Sequence, residues 1–408
     1  MGLATNGDLI PHLTGNCPPS CKACTVVCPF SDGPLDSRPT NRELFARTAG
    51  AAEHPDIGCY IDAFVGHVQA PEHRWHSASG GFATWCLEQL LATGEIDRVA
   101  VVVPLAGPGA RFGFAPIERP QDVFKSAGSV YQPVECSDII KGLLAEPVTK
   151  WAIIGVPCLC AAVRRHAVLR RRIRFVLGLA CGMYQNAFYT EFLARAAGQD
   201  PDGFESCRYR VKDPARRPND YGFACYSGGQ PIGHTVRYTS LPYFLGRHGY
   251  FRLGSCDACT DVFAEAADAC FMDAWLPEYC SDPRGTSIVL LRNTRLAEIF
   301  AAGVTCRAID AKRLPAAQVA LSQFGATNRK RRGIHNSSCL FSFLDKRAQL
   351  ATRRRSKFVW RTVARRLGPA ALWLSMIDLL AVQVALGFAL PLLIRCRNQL
   401  QRVLVRNR

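Results

Sequence analysis

Three stretches of the chain are apolar almost without interruption: residues 98–104 (RVAVVVP), 151–160 (WAIIGVPCLC) and 173–181 (IRFVLGLAC). Short runs rich in Val and Ile predict buried strands. Residues 57–68 alternate and residues 285–291 form a late apolar run, so each predicts another strand. Between these runs the period becomes helical, in residues 38–52, in 77–91 through Ala83, Leu87, Leu90 and Leu91, in 161–169 and in 296–302. Residues 204–240 are more polar, rich in Tyr and Gly, and alternate, which predicts β-hairpins. Strand, loop and helix recur, so the expected fold is α/β with some α+β mixing.

The pattern changes near the C-terminus. Residues 367–394 carry one charge, Asp378, and one glutamine, Gln383, with Pro369 and Pro391 near the two ends. The run is long enough to cross a hydrocarbon core of about 30 Å. Basic residues lie on both sides, in 353–366 before it and at Arg395, Arg397 and Arg402 after it. A transmembrane anchor, an interfacial helix and a helix packed on the body all stay open, with Asp378 costly at bilayer depth. On either membrane reading, residues 353–408 tie the protein to a membrane surface.

Charge sharpens this division. The net charge of +17 belongs to residues 329–408, which hold 18 Lys and Arg against two acids, Asp345 and Asp378. Residues 1–328 hold 32 bases and 31 acids. A neutral body gives no electrostatic footprint for nucleic acid, and in the tail the bases are interleaved with a long apolar run. Three segments are expected: a cysteine-rich head (1–35), an α/β body (36–328) and a basic, apolar, helical tail (329–408).

The head reads CPPSCKACTVVCP over residues 17–29. The ferredoxin-type iron–sulfur run is C-x2-C-x2-C-x3-C-P. The later spacings and Pro29 agree with it, and the first gap is one residue longer, filled by Pro18, Pro19 and Ser20. Cys17, Cys21, Cys24 and Cys28 are therefore candidate ligands of a 4Fe–4S cluster. The alternative is structural zinc, which usually takes two separated cysteine pairs. The chain has 19 cysteines, and residues 1–15 lack the apolar core of a signal peptide. Such cysteine usage reads as metal ligation in a reducing, cytoplasmic compartment.

Other candidates are scattered through the body. Ser79, Gly80 and Gly81 precede a helix, a geometry that suits either phosphate or simple capping. FKSAGSVY (124–131) is a second small-residue loop before an expected helix. Cys158 and Cys181 fall at the carboxyl ends of two predicted strands, where α/β sheets collect ligands. Cys256 and Cys259 form a C-x2-C pair. Each alone reads as a small buried hydrophobe. Cys136, Cys160 and Cys270 are spare candidates, and His67, His73 and His76 lack metal-type spacing.

In order, CPPSCKACTVVCP, SGGFATWCLEQLLATGEID, KSAGSVYQP, IIGVPCLCAAVRR, LGLACG, GSCDACTDVFAEAADACFMDAW and RGTSIVLLRNT resemble the beta-subunit family of coenzyme F-420 hydrogenase/dehydrogenase. The resemblance implies an iron–sulfur flavoprotein oxidoreductase with FAD and one or two 4Fe–4S clusters. Electrons would pass between these and a redox partner such as coenzyme F-420 or ferredoxin. It also implies that Cys158, Cys181, Cys256 and Cys259 hold a second cluster. Ser79, Gly80 and Gly81, with Ser126, Gly128, Ser129 and Tyr131, would face the flavin. No catalytic acid or base stands out; Lys125 reads as solvated and Tyr131 as packed. The alternatives are a non-catalytic electron-transfer subunit and a metal-bearing scaffold in an envelope-polysaccharide complex, and an oligomer is expected. Two positions depart from the family pattern: Met272 replaces a glycine before Asp-Ala-Trp, and the gap between Cys17 and Cys21 is one residue longer.

Overall fold

The alternating and continuous apolar runs assemble into a mixed sheet of eight strands. The computed structural model describes residues 2–3, 7–12, 15–105 and 111–331. The strands are β1 (Asp62–Val68), β2 (Arg98–Pro104), β3 (Phe112–Ile117), β4 (Trp151–Gly155), β5 (Ile173–Leu179), β6 (Ser206–Val211), β7 (Gly222–Ser227), β8 (Gln230–Arg237), β9 (Ala269–Asp273), β10 (Ser287–Leu291) and β11 (Ile309–Arg313). The large sheet runs β11-β1-β10-β9-β5-β4-β2-β3. β9, β5, β4 and β2 are mutually parallel. Antiparallel strands flank them, with β10, β1 and β11 on one side and β3 on the other. β6, β7 and β8 form a separate antiparallel sheet.

Side-chain alternation assigns the two faces. Ala63, Val65, Ala100, Ile153, Val176, Met272 and Ile288 enter one core, and Phe64, Val99, Val101, Ala152, Phe175, Phe271 and Val289 enter the other. The helices are α1 (Ala23–Val27), α2 (Arg38–Phe45), α3 (Pro71–His76), α4 (Phe82–Ala92), α5 (Ser137–Ala145), α6 (Pro157–Arg165), α7 (Leu169–Arg172), α8 (Phe188–Ala196), α9 (Leu241–Arg247), α10 (Thr294–Thr305), α11 (Ala316–Ser322) and α12 (Phe324–Lys330). Leu143, Val163, Leu169 and Val319 bring α5, α6, α7 and α11 to the first core. Leu87, Leu90, Leu296 and Phe300 bring α4 and α10 to the second. A third core, with Tyr189, Leu193, Tyr209, Phe223 and Tyr243, joins α8 and α9 to the small sheet.

The expected α/β fold with α+β mixing is present, and β2 has the expected bounds. The run 151–160 is not one strand. It stops at Gly155 because Pro157 starts α6 at its first position, where a missing N–H costs nothing. Cys158 therefore stands in the first turn of a helix. The helix expected over 38–52 stops at Phe45, and 57–68 divides into Gly58–Tyr60 and β1. Residues 204–240 supply the hairpins β6–β8 as expected. The apolar tail helix over 367–394 lies outside the described residues. Among those described, no helix is long and apolar enough to cross a membrane.

Residues 260–268, which run into β9, form an internal loop; Asp261 through Asp268 are all buried. A buried loop survives only if its backbone polar groups find partners. Arg292, fully buried at the end of β10, supplies many of them. Its guanidinium donates to the carbonyls of Phe263 (3.1 Å), Ala264 (3.1 Å) and Ala267 (3.0 Å), and to those of Ile57 (3.3 Å) and Cys59 (3.1 Å). Arg164 of α6 adds bonds to Ala266 O (3.0 Å) and Asp268 (2.8 Å). Replacing Arg292 leaves several carbonyls dry and unpaired. Arg292→Met is expected to cost about 3–5 kcal/mol of unfolding free energy in urea titration. Arg295→Met, which breaks surface pairs with Glu95 and Glu298, should leave the urea midpoint essentially unchanged.

Candidate functional site

The loops around the carboxyl end of the parallel strands bring four cysteines together. Cys158 comes from α6, Cys181 follows β5, and Cys256 and Cys259 belong to the short turn of helix Gly254–Ala258 and its end. All four are free thiols. Burial, reinforced by Cys181, Cys259 and Cys256, pushes the Cys158 thiol up to about 12. Burial likewise lifts Cys181 to about 11; Lys330 opposes the shift, while Cys256 and Cys259 add to it. These mutual effects mark one cluster of sulfurs. The backbone N–H of Tyr184 donates to Cys256 Sγ at 3.3 Å, and Lys330 Nζ donates to Cys259 Sγ at 3.2 Å. Amide and cationic donors aimed at sulfur suit thiolates more than thiols.

Four thiols from three segments, two of them facing an amide and an ammonium donor, are the kind of donor set an iron–sulfur cube takes. Among the described residues no three His, Cys, Asp or Glu side chains are arranged to hold a single metal ion. A mononuclear tetrahedral site needs its sulfurs about 2.3 Å from one point. A four-iron cluster is a larger object and sets its thiolates further apart. Cys160 and Cys270 are fully buried within the first core, where they act as small hydrophobes. Cys136 precedes α5.

The head packs beside this set. Pro18 O accepts from Cys21 N at 2.9 Å, so the extra residue is taken up in a turn. Cys17 remains against Cys21 and Cys24, and Cys21 is the first cause of its raised pKa. Cys17, Cys21 and Cys24 are exposed, and Cys28 is half-buried. Arg165, at the end of α6, donates to Val26 O (3.0 Å), Ser31 Oγ (3.1 Å) and Asp32 (2.6 Å). Cys158 and Arg165 are on the same helix, so α6 links the second set to the segment that carries the first. Phe30, Leu35, Ala161, Cys158 and Cys259 pack into one apolar cluster between them.

The small-residue loops divide. Gly80 lies between β1 and β10: an added Cβ would meet Gly66 O at 2.6 Å and Ser287 N at 2.7 Å. Gly81 caps α4 with φ +91°. Both glycines are thus required by contacts within the protein. Ser79 donates to Thr286 O (2.7 Å) and lines a crevice. Ser126 closes its own turn on Val123 O (2.7 Å), Ser129 is half-buried, and Gly128 has φ +126° with open space around it. Lys125 is exposed and pairs with Asp122 at 2.9 Å. Tyr131 packs edge-on to Tyr209, with ring centroids 5.3 Å apart. Met272 fills the first core beside Ser322 of α11.

The crevice that holds Ser79 is also lined by Arg210, Lys212, Ala274, Trp275, Tyr279 and Thr286. Arg210 pairs with Asp273 at 3.0 Å and lies 4.4 Å over the Tyr221 ring and 5.7 Å over that of Trp275. Its Nε is buried and makes no hydrogen bond. Burial, with repulsion from Arg210 and Arg74, brings Lys212 down to about 7. Sequence reading missed Arg210 and Lys212 because a polar hairpin reads as solvent-facing. Their spacing of two, at the end of β6 and beside Tyr209, was the available signal. Arg329 faces both Cys181 and Tyr238, and the Tyr238 ring packs tilted against Tyr221 with centroids 4.8 Å apart. Aromatic and cationic side chains therefore run from the second cysteine set to the crevice.

Comparison with known proteins identifies the family and the fold. The family described as coenzyme F420 hydrogenase/dehydrogenase, beta subunit N-term, matches residues 63–141, and the counterpart describing the C terminus of the same beta subunit matches residues 148–317. A chain of the F420-reducing NiFe hydrogenase complex from Methanosarcina barkeri, solved with xenon, shares the fold at 18% identity and a TM-score of 0.52. The match covers 70% of this chain and 94% of that one. No curated protein sequence matches.

The burial of the second set has a direct consequence in the metal-free chain. At pH 8, iodoacetamide should label exposed Cys21 and Cys24 rapidly. Cys158 and Cys181 should react roughly a hundredfold more slowly, because little thiolate is present at their raised pKa values. Their rates should climb as the pH approaches 11, read by peptide mass spectrometry.

Proposed function

Because the chain belongs to the coenzyme F420 hydrogenase/dehydrogenase beta-subunit family, whose members are cluster-binding, electron-transferring oxidoreductase subunits, we propose that it is an iron–sulfur flavoprotein. On this reading it carries electrons between 4Fe–4S clusters, FAD and a redox partner. The observation that carries the reading is the convergence of Cys158, Cys181, Cys256 and Cys259 beside an aromatic, cationic crevice. Bound FAD would supply exchange between two-electron and one-electron chemistry.

The chain's own residues then have distinct tasks. The four converging thiolates hold one cluster, and Cys17, Cys21, Cys24 and Cys28 hold another at the surface. Helix α6 keeps the two sets close. The Arg210 guanidinium covers the Tyr221 and Trp275 rings and its Nε is buried, so a flavin seated here would have to open the crevice, displacing Arg210 from these rings and gaining its unbonded N–H as a donor. Ser79 and Tyr131 stand near Arg210, which supports their assignment to the flavin site. The partner is coenzyme F-420 or a ferredoxin. Exposure of Cys17, Cys21 and Cys24 favours protein docking at the head, as in a subunit whose substrate chemistry lies in a neighbouring chain.

Anaerobic purification of the full chain should give about eight irons and one FAD. Cys256→Ala should lower iron by about half while leaving the head's cluster. Zinc without flavin would overturn the reading and favour a scaffold. The crevice adds a pH test. Lys212 carries charge below about pH 7 and loses it above, so FAD affinity should fall several-fold as pH rises from 6 to 9. Lys212→Met should flatten that dependence in calorimetric titration of the flavin-free protein.

A further inference from the structure

The basic run that opens the tail in the sequence does not begin in solvent. Arg329 and Lys330 lie at the end of α12, and Arg331 follows. Arg331 pairs with buried Glu265 and donates to Thr260 O at 2.9 Å. Arg329 approaches Gly182, where an added Cβ would meet its Nη1 at 3.3 Å. Lys330 donates to Asp261 O at 2.6 Å and to Cys259 Sγ at 3.2 Å. The carboxylate of Asp261 is itself engaged by Glu265 N at 3.1 and 3.2 Å. Among the described residues Lys330 forms no ion pair with a carboxylate; its one side-chain acceptor is Cys259 Sγ, with the Asp261 carboxylate acting on it from further off. Helix α12 lies past residue 317, where the family match ends.

A half-buried ammonium with no carboxylate in hydrogen-bond contact is costly unless an anion beside it compensates. Ligated thiolates are such an anion. A cluster that takes up an electron becomes more negative, so a fixed positive charge beside it stabilises the reduced form more than the oxidised form. We propose that Lys330 sets the reduction potential of the cluster held by Cys158, Cys181, Cys256 and Cys259, raising it by a charge placed against Cys259 Sγ. This rests on the reading of those four cysteines as cluster ligands. The step concerned is a one-electron reduction in which no bond forms or breaks.

The test compares wild type, Lys330→Met, Lys330→Arg and Cys256→Ala as full chains, purified anaerobically. Iron is assayed, and each cluster is titrated with dithionite while its paramagnetic signal is followed. Lys330→Met should keep its iron and shift one cluster to lower potential. At the wild-type midpoint its ratio of reduced to oxidised cluster should fall about tenfold, equal to about 59 mV for one electron. Lys330→Arg should stay near wild type, and the signal missing from Cys256→Ala should be the one that shifts. Unchanged potentials in Lys330→Met with full iron overturn the proposal. So does loss of that cluster's iron in Lys330→Met, which would make the lysine a support of the site and not a determinant of its potential. If Cys256→Ala keeps all the wild-type iron, the ligand assignment itself fails, and that failure is visible before any potential is measured.

Discussion

The site depends on a loop that has to be dry. Residues 260–268 connect Cys259 to β9 through the interior, and folding buries their peptide groups away from water. The protein meets this constraint with cations from four places. Arg292 comes from the end of β10, Arg164 from α6, Lys330 from α12 and Arg331 from the residue after it, and each donates to carbonyls of the loop. Asn41 of α2 adds a bond to Glu265 O at 2.9 Å. The loop has no secondary structure of its own, yet these donors fix it from several sides. Cys256 and Cys259 stand at its entrance, so their position follows from how the buried peptide groups are satisfied.

The same economy appears in α6. Pro157 starts it, Cys158 occupies its first turn, and Arg164 and Arg165 end it. Arg164 faces inward to the loop, and Arg165 faces outward to the head. A rotation of this helix would move one cysteine of the inner set, one brace of the loop and the clamp on the head together. Positioning residues on one rigid element couples them more tightly than separate loops can. Leu35 strengthens the link: its N–H donates to Ala258 O at 2.7 Å, and its carbonyl accepts from Thr260 N at 2.9 Å. The head is thus hydrogen-bonded into the turn that carries Cys256 and Cys259.

Much of this was legible in the sequence. The strands β2, β4 and β5 are written as apolar runs because a parallel strand buries both faces. Cys158, Cys181, Cys256 and Cys259 could be picked out because strand ends and C-x2-C spacing are local signals. What could not be read was long-range satisfaction. Arg292 looks like an ordinary cation after a strand, and only its five carbonyl partners, from two distant segments, reveal its task. Arg329, Lys330 and Arg331 were grouped with a basic tail because charge density is a one-dimensional property. Arg210 was missed because the hairpin that carries it packs its polar side toward Asp273 and Trp275, not toward water.

The small-residue loop at Ser79–Gly81 shows how a local motif can answer two demands at once. Its glycines admit no side chain because β1 and β10 press against them. Gly80 N donates to Ser287 Oγ at 2.8 Å, and Gly80 O accepts from Val68 N at 2.9 Å, so the loop is stitched to both strands. Gly285 completes the junction with φ +80° and a hypothetical Cβ 3.1 Å from Ser79 Cα. The glycines therefore explain the fold, and only Ser79 reaches the crevice. A motif chosen for bare backbone need not place that backbone against a ligand; here it lets two strands and a helix start meet closely enough that the next side chain lines the crevice. Tolerance of Met272 follows the same logic. Its side chain turns to the first core and α11, while the neighbouring Asp273 keeps its pair with Arg210. What the crevice presents is set by the residues that line it, and the glycine count of the surrounding loops reports mainly on packing.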